Sequence, residues 1–146
     1  AHCMLNGVAT AGKAARKAQL AARLDAGEPI GLLAYDGTDP VGWCSTGPLA
    51  SFARFGGPND VDPQKTWAIS CFYVPRVRRG EGIARALAVA ALDVARRAGA
   101  TSMQVTGVAA DSPSYRHMGR IGFYENLGFV EVGMVGTRRH LMRRVL

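Results

Sequence analysis

Trp67-Ala-Ile-Ser-Cys-Phe-Tyr-Val74, Pro75-Arg-Val-Arg-Arg-Gly-Glu-Gly82 and the stretch Ile83 to Ala98 follow one another without a break, and their reading decides the fold. The first segment is rich in β-branched and aromatic residues and closes at Pro75, which predicts a strand. From Ile83 the apolar residues recur at helical spacing, with Ile83, Leu87, Ala91, Val94 and Ala98 on one face. Arg96 and Arg97 fall in the last turn and Gly99 suits the position just past the helix end. Between strand and helix, Gly80 and Gly82 stand where the backbone must turn sharply. A helix N-terminus carries unpaired N–H groups and partial positive charge, so a turn of this kind suits a phosphate.

Two familiar phosphate motifs do not fit. A P-loop needs Gly-x-x-x-x-Gly-Lys-Ser/Thr, and this turn has no such lysine. A dinucleotide fingerprint needs a third small residue where Arg85 stands, and an acid after the next strand, near Ser102 to Thr106, which is absent. Arg79-Gly-Glu-Gly82-Ile-Ala84 instead resembles the Arg/Gln-x-x-Gly-x-Gly/Ala signature of the GCN5-related N-acetyltransferase (GNAT) family. Downstream, Phe123-Tyr124-Glu125-Asn126-Leu127-Gly128-Phe129 is similar to the Tyr-x-x-x-Gly-Phe that closes the penultimate helix in that family. The two motifs occur in the family's order, and the resemblance covers about Ile30 to the C-terminus.

The composition agrees with this class. At 146 residues the chain is expected to form a single domain, residues 1–146, with one core. Hydrophobic content of 48% and charged content of 20% are ordinary for a globular protein. The longest apolar run, around Ile83 to Ala95, is broken by Arg85 and Asp93, so no membrane span is expected. Three cysteines, Cys3, Cys44 and Cys71, without Cys-x-x-Cys spacing, point to a reducing cytoplasm and to no metal site. The net charge of +7 could serve a nucleic acid or a polyphosphate cosubstrate. No aromatic-interleaved basic module accompanies it, which argues against nucleic acid.

Taken in order, Ala1 to Val8 leaves room only for a stunted or missing first strand, and His2 beside Cys3 is too few ligands for a metal. Thr10 is expected to cap a helix to about Ala26, with Ala14, Ala18, Ala21 and Leu24 as its apolar face. Ile30–Tyr35 and Val41–Thr46 read as a hairpin around Asp36-Gly-Thr-Asp-Pro40. Gly47 to Lys65 lacks periodicity but carries Leu49, Phe52 and Phe55, which suggests a substrate-side flap. Thr101–Thr106 is expected to lie parallel to Trp67–Val74 through a right-handed crossover. Asp111-Ser112-Pro113 opens a helix to about Leu127, weakened at Gly119 and Gly122, and Phe129–Met134 pairs with Arg138–Val145 around Gly136.

The resemblance implies a mixed, mostly antiparallel sheet with helices on both faces and a splayed central parallel strand pair. It implies acetyl-coenzyme A as cosubstrate, its pantetheine pairing with backbone groups of Phe72, Tyr73 and Val74. Its pyrophosphate would meet the amides of Arg79, Gly80, Glu81, Gly82, Ile83 and Ala84, where glycine removes the Cβ that would block the approach. The implied reaction is direct attack of an amine, on a small molecule or a protein, upon the thioester. A backbone N–H at the splay would hold the oxyanion, and Tyr124 occupies the general-acid position. No carboxylate lies on the central strand to act as base. Ser70 and Cys71 are its only polar candidates, Asp111 and Ser112 follow the parallel strand, and His117 stands where many members carry asparagine. A non-catalytic acyl-coenzyme A sensor or partner subunit is therefore the alternative, and the C-terminal strand pair offers an edge for a homodimer.

Overall fold

The computed structural model describes residues 12–53 and 55–146. The expectations placed on Ala1 to Val8, on His2 and Cys3 and on Thr10 lie outside them. The described elements are helix α1 (Lys13–Asp25), strands β1 (Leu32–Asp36), β2 (Asp39–Pro48) and β3 (Thr66–Tyr73), helix α2 (Ile83–Arg97), strand β4 (Ser102–Gly107), the short helix α3 (Ile121–Glu125) and strands β5 (Val130–Val135) and β6 (Arg139–Val145). The strands form one sheet in the order β1-β2-β3-β4-β6-β5. Among these strands only β3 and β4 run parallel; every other neighbouring pair is antiparallel. Among the described residues no helix is long and apolar enough to cross a membrane.

Residue alternation along the central strands divides two cores. Trp67 and Ile69 of β3 and Met103 and Val105 of β4 pack under α2 with Leu87, Ala88, Ala91, Leu92 and Ala95. Ala68 points the other way, into a cluster with Ile30, Phe52, Phe55, Val135 and Leu141. The helix α2 keeps the expected register. Leu87 and Ala91 are buried, Ile83 and Val94 are half-buried, and only Ala98 of the expected face is exposed, because the helix has ended by then.

Three local expectations are corrected. The anticipated face of α1 (Ala14, Ala18, Ala21, Leu24) is exposed, and the half-buried residues are Arg16, Gln19, Leu20 and Arg23. Polar contacts set that rotation: the Arg23 guanidinium pairs with Glu28 at 2.6 Å and reaches the Ser51 carbonyl, while Leu20 meets the second core. Phe52 and Phe55 are each 4% exposed and belong to that second core, so the Gly47–Lys65 connection is packed through them rather than held open as a flap. The helix expected from Asp111 to Leu127 is interrupted. A 3-10 turn at Arg116–Met118 is followed by Gly119 at φ 100°, and only Ile121–Glu125 is α-helical. Gly119 cannot be replaced by a helical residue because a Cβ there would stand 2.8 Å from the Tyr124 ring.

Candidate active site

The central strand pair comes apart at a defined point. β3 and β4 are paired from Thr66↔Ser102 to Ile69↔Val105 and no further, although β3 continues to Tyr73 and β4 to Gly107. The separation coincides with a bulge: Thr46 of β2 faces Ile69 while the next residue, Ser45, faces Cys71, leaving Ser70 as the extra residue of β3. A bulge bends its strand and disrupts the ladder locally, here at the position where β3 leaves β4. From Ser70 to Tyr73 the edge of β3 turned toward β4 has no strand partner among the described residues.

The bulge carries a polar anomaly. The hydroxyls of Ser70 and Thr46 are buried and have no hydrogen-bond partner among the described residues. Buried polar groups are nearly always paired, because leaving one unsatisfied costs about 1–3 kcal/mol. Ser70, where β3 leaves β4, therefore marks a place suited to a polar ligand atom, and the Thr46 hydroxyl is orphaned on the neighbouring strand β2. The sequence offered Ser70 only as a polar residue on a strand, since nothing local announces a bulge.

The glycine turn lies beyond the end of β3. Gly80 and Gly82 adopt φ of 91° and 80°, a left-handed conformation that favours glycine. A Cβ at either would meet none of the described atoms within 4 Å, so the space over the turn is open. Gly82 is the N-cap of α2 and supplies no side-chain cap, which leaves first-turn amides for an outside acceptor. Arg78 ties the turn in place, bonding Glu81 at 2.8 Å and Asp36 of β1 at 2.9 Å. Glu81, which carries the turn's negative charge, is thereby paired with a cation. From Gly82 an open groove of about 730 Å³ runs along α2 past Arg85, Val89, Asp93 and Arg96.

The predicted site residues are distributed as follows. Gly80, Glu81, Gly82, Ile83 and Ala84 surround the turn. The Arg79 amide is directed at the Arg76 carbonyl, 3.4 Å away, and its guanidinium donates to the Val74 carbonyl at 3.2 Å. Val74 thus lies past the strand with its carbonyl occupied, whereas Phe72 and Tyr73 remain on the edge of β3 beyond the fork. Tyr124 is fully buried. Its ring packs edge-on to Phe123 and Phe129, and its hydroxyl donates to the Met118 carbonyl. Burial holds its pKa well above the usual phenol range. Of the other polar candidates, Cys71 is half-buried, Asp111 and His117 are exposed, and Ser112 is buried with its hydroxyl bonded to the Ser114 carbonyl at 3.0 Å. None of these presents a carboxylate at the fork. A second cavity, about 570 Å³, lies between α1 and the end of β2 near Gln19, Arg23, Pro48 and Gln64. Pro48 pairs with Trp67, three residues before the bulge, or roughly 10 Å from it along the strand, so the fork and this cavity are separate.

Comparison with known proteins gives a consistent result. The model of the acetyltransferase (GNAT) family matches residues 8–129. No curated relative matches the chain significantly. Among solved structures, it is similar to the ribosomal-protein-alanine N-acetyltransferase of Brucella melitensis, with 24% identity and a TM-score of 0.63 over 90% of this chain and 77% of that one. It is also similar to the PaiA N-acetyltransferase of Thermoplasma acidophilum, solved in complex with coenzyme A. There the identity is 12% and the TM-score 0.64, over 92% of this chain and 72% of that one.

Proposed function

The chain belongs to the GNAT acetyltransferase family, and on that premise we propose that it is a single-domain enzyme of the reducing cytoplasm that transfers an acetyl group from acetyl-coenzyme A to a primary amine by direct attack. The observation that carries this reading is the alignment of an open glycine turn with a strand fork, joined by the free edge of β3. A phosphate-bearing, extended acyl carrier fits that arrangement. Its diphosphate would accept from the amides of residues 80–84, and its amide-containing arm would pair along Phe72 and Tyr73 toward Ser70. The residues present fit this cosubstrate, since both glycines leave the approach clear.

At the fork the amine nitrogen forms a bond to the acyl carbon and the carbon–sulfur bond breaks. The proton lost by nitrogen balances the one gained by sulfur. The Ser70 hydroxyl, without a partner among the described residues, would provide a donor where negative charge develops, and a backbone N–H at the splay would be a second. Tyr124 stays protonated across the working pH range, as a proton donor to the departing thiolate must. The acceptor enters as the neutral amine, and water carries its proton away, since β3 contains no Asp or Glu.

A second reading, a non-catalytic acyl-coenzyme A sensor or partner subunit, is favoured by one observation: the Tyr124 hydroxyl is engaged by a carbonyl. One experiment separates the two. The purified chain is given acetyl-coenzyme A with a panel of small amines, peptides with free N-termini and lysine peptides, and both thiol release and acetylated product are measured. Product with any class supports the enzyme; saturable coenzyme A binding without product on the whole panel supports the sensor. Absence of coenzyme A binding overturns both.

A further inference from the structure

At the fork between β3 and β4 lies one buried side chain, Met118, that the proposed reaction does not use. Along β4, Met103 and Val105 face the α2 core, whereas Gln104 and Thr106 face the opposite side, where Thr106 stands beside Leu141. Thr106 is also the first residue of β4 past its last partner on β3. Its hydroxyl donates to the sulfur of Met118 at 3.3 Å. The carbonyl of the same Met118 accepts from Tyr124, which belongs to the α2 core. Met118 therefore touches groups belonging to both faces of the sheet at the place where the strands part, and it is 6% exposed. The 3-10 turn that carries it packs against both β3 and β4.

The turn is held at its ends by backbone in sparsely populated conformations. Tyr115, a non-glycine residue, lies at φ 61° and Gly119 at φ 100°. The Met118 amide bonds the Tyr115 carbonyl at 2.9 Å, the Gly119 amide bonds the Arg116 carbonyl at 3.3 Å, and the Gly119 carbonyl accepts from Val108 at 3.0 Å. Outside the fork, Arg139 stands over the exposed Tyr115 ring at 5.6 Å, and the Arg116 guanidinium bonds the Ser112 carbonyl at 2.8 Å. Moving the turn breaks a few specific bonds, the buried ones to Val108, Thr106 and Tyr124 and the part-buried one from Arg116, while the Arg139–Tyr115 contact lies at the surface; Met118 itself belongs to neither core cluster.

We propose that Met118 is a stopper at the gap where β3 and β4 part and Tyr124 its latch, so that entry of the acyl-pantetheine arm must expel Met118 and, in doing so, frees the Tyr124 hydroxyl. The inference rests on the acetyltransferase reading and adds to it a coupling: the group that protonates the thiolate becomes available only when the thioester occupies the fork. It also explains why a hydroxyl in the general-acid position is engaged by a main-chain carbonyl in this structure.

Hydrogen exchange of the full chain, with and without saturating coenzyme A, tests this, together with calorimetric affinities of the wild type, Met118→Ala and Met118→Leu. Binding is expected to raise exchange at the amides of Met118 and Gly119 while protecting residues 80–84. A protein that must expel a plug binds more weakly by the fraction of molecules already open, so Met118→Ala should bind about ten-fold more tightly and Met118→Leu, which keeps the bulk, as the wild type does. Undiminished protection of the turn in a protein that binds coenzyme A overturns the stopper and leaves the acetyltransferase reading standing. The stopper is equally overturned if Met118→Ala, folded by thermal melting, gains no affinity. If neither wild type nor Met118→Ala binds, the acetyltransferase reading falls and the stopper with it.

Discussion

Phe52 and Phe55 pack edge to face with ring centroids 6.0 Å apart, and together they close the core on the sheet face opposite α2. Gly56 follows immediately and presses on Val135 of β5, so the β2–β3 connection is fastened to the far side of the sheet. Phe52→Ala should therefore destabilise the protein by about 3–5 kcal/mol, the usual cost of emptying a buried phenylalanine site. Urea unfolding measures this. A loss under about 1 kcal/mol, with acceptor kinetics altered instead, would restore a flap role for the segment.

The glycine turn can be probed without straining it. Asparagine tolerates the left-handed conformation of Gly82 better than other side chains, and a Cβ at that position meets none of the described atoms. Gly82→Asn should melt within a few degrees of the wild type, yet it places an amide in the open space that the diphosphate is proposed to enter. Coenzyme A affinity should fall at least about ten-fold, or 1.4 kcal/mol. Unchanged calorimetric affinity in the folded variant removes the turn from the binding site.

Ser70 provides the converse case, a polar group whose removal should cost the fold nothing. Its hydroxyl is buried and unpartnered among the described residues, so Ser70→Ala relieves an unsatisfied group and should leave the melting temperature unchanged or slightly higher. If the hydroxyl donates to the reacting carbonyl, kcat should drop by about ten-fold or more while coenzyme A affinity holds. Full activity in this variant would assign the oxyanion to backbone N–H groups alone.

For Tyr124 the pH dependence is informative. Burial raises its pKa well above the ordinary phenol value, so the proton-donating form persists as pH rises and Tyr124 should produce no alkaline fall in kcat below about pH 10. The rate should instead climb with deprotonation of the acceptor, levelling near pH 8 for an N-terminal amine and rising toward pH 10 for a lysine, as their usual pKa values require. Tyr124→Phe keeps the ring packing against Phe123 and Phe129 and should lower kcat by about 10²-fold. Its coenzyme A affinity should be no weaker than that of the wild type. A new alkaline limb near pH 9 in the wild type, absent in Tyr124→Phe, would contradict the raised pKa.

Short-range pattern was enough to determine the central strand, the glycine turn and α2, because each depends on residues adjacent in the chain: β-branched residues ending at Pro75, two glycines, then apolar residues at helical spacing up to Gly99. The same is true of both hairpins and of the parallel placement of β4, which a single crossover helix enforces. Tertiary structure decided the rest, and in all but one case the cause is a contact between distant segments. The rotation of α1 follows Arg23 and its reach to Ser51, against the pattern of its own alanines. Phe52 and Phe55 are core because β5 and β6, which follow some eighty residues later, bring Val135 and Leu141 to them. The Asp111–Leu127 segment breaks because the Tyr124 ring occupies the space above Gly119. The bulge at Ser70 arises from register between β2 and β3, and Met118 meets Thr106 where β3 and β4 diverge. No window along the chain contains both partners of any of these pairs except Gly119 and Tyr124, and there the sequence could show a weak helix but not the ring that interrupts it.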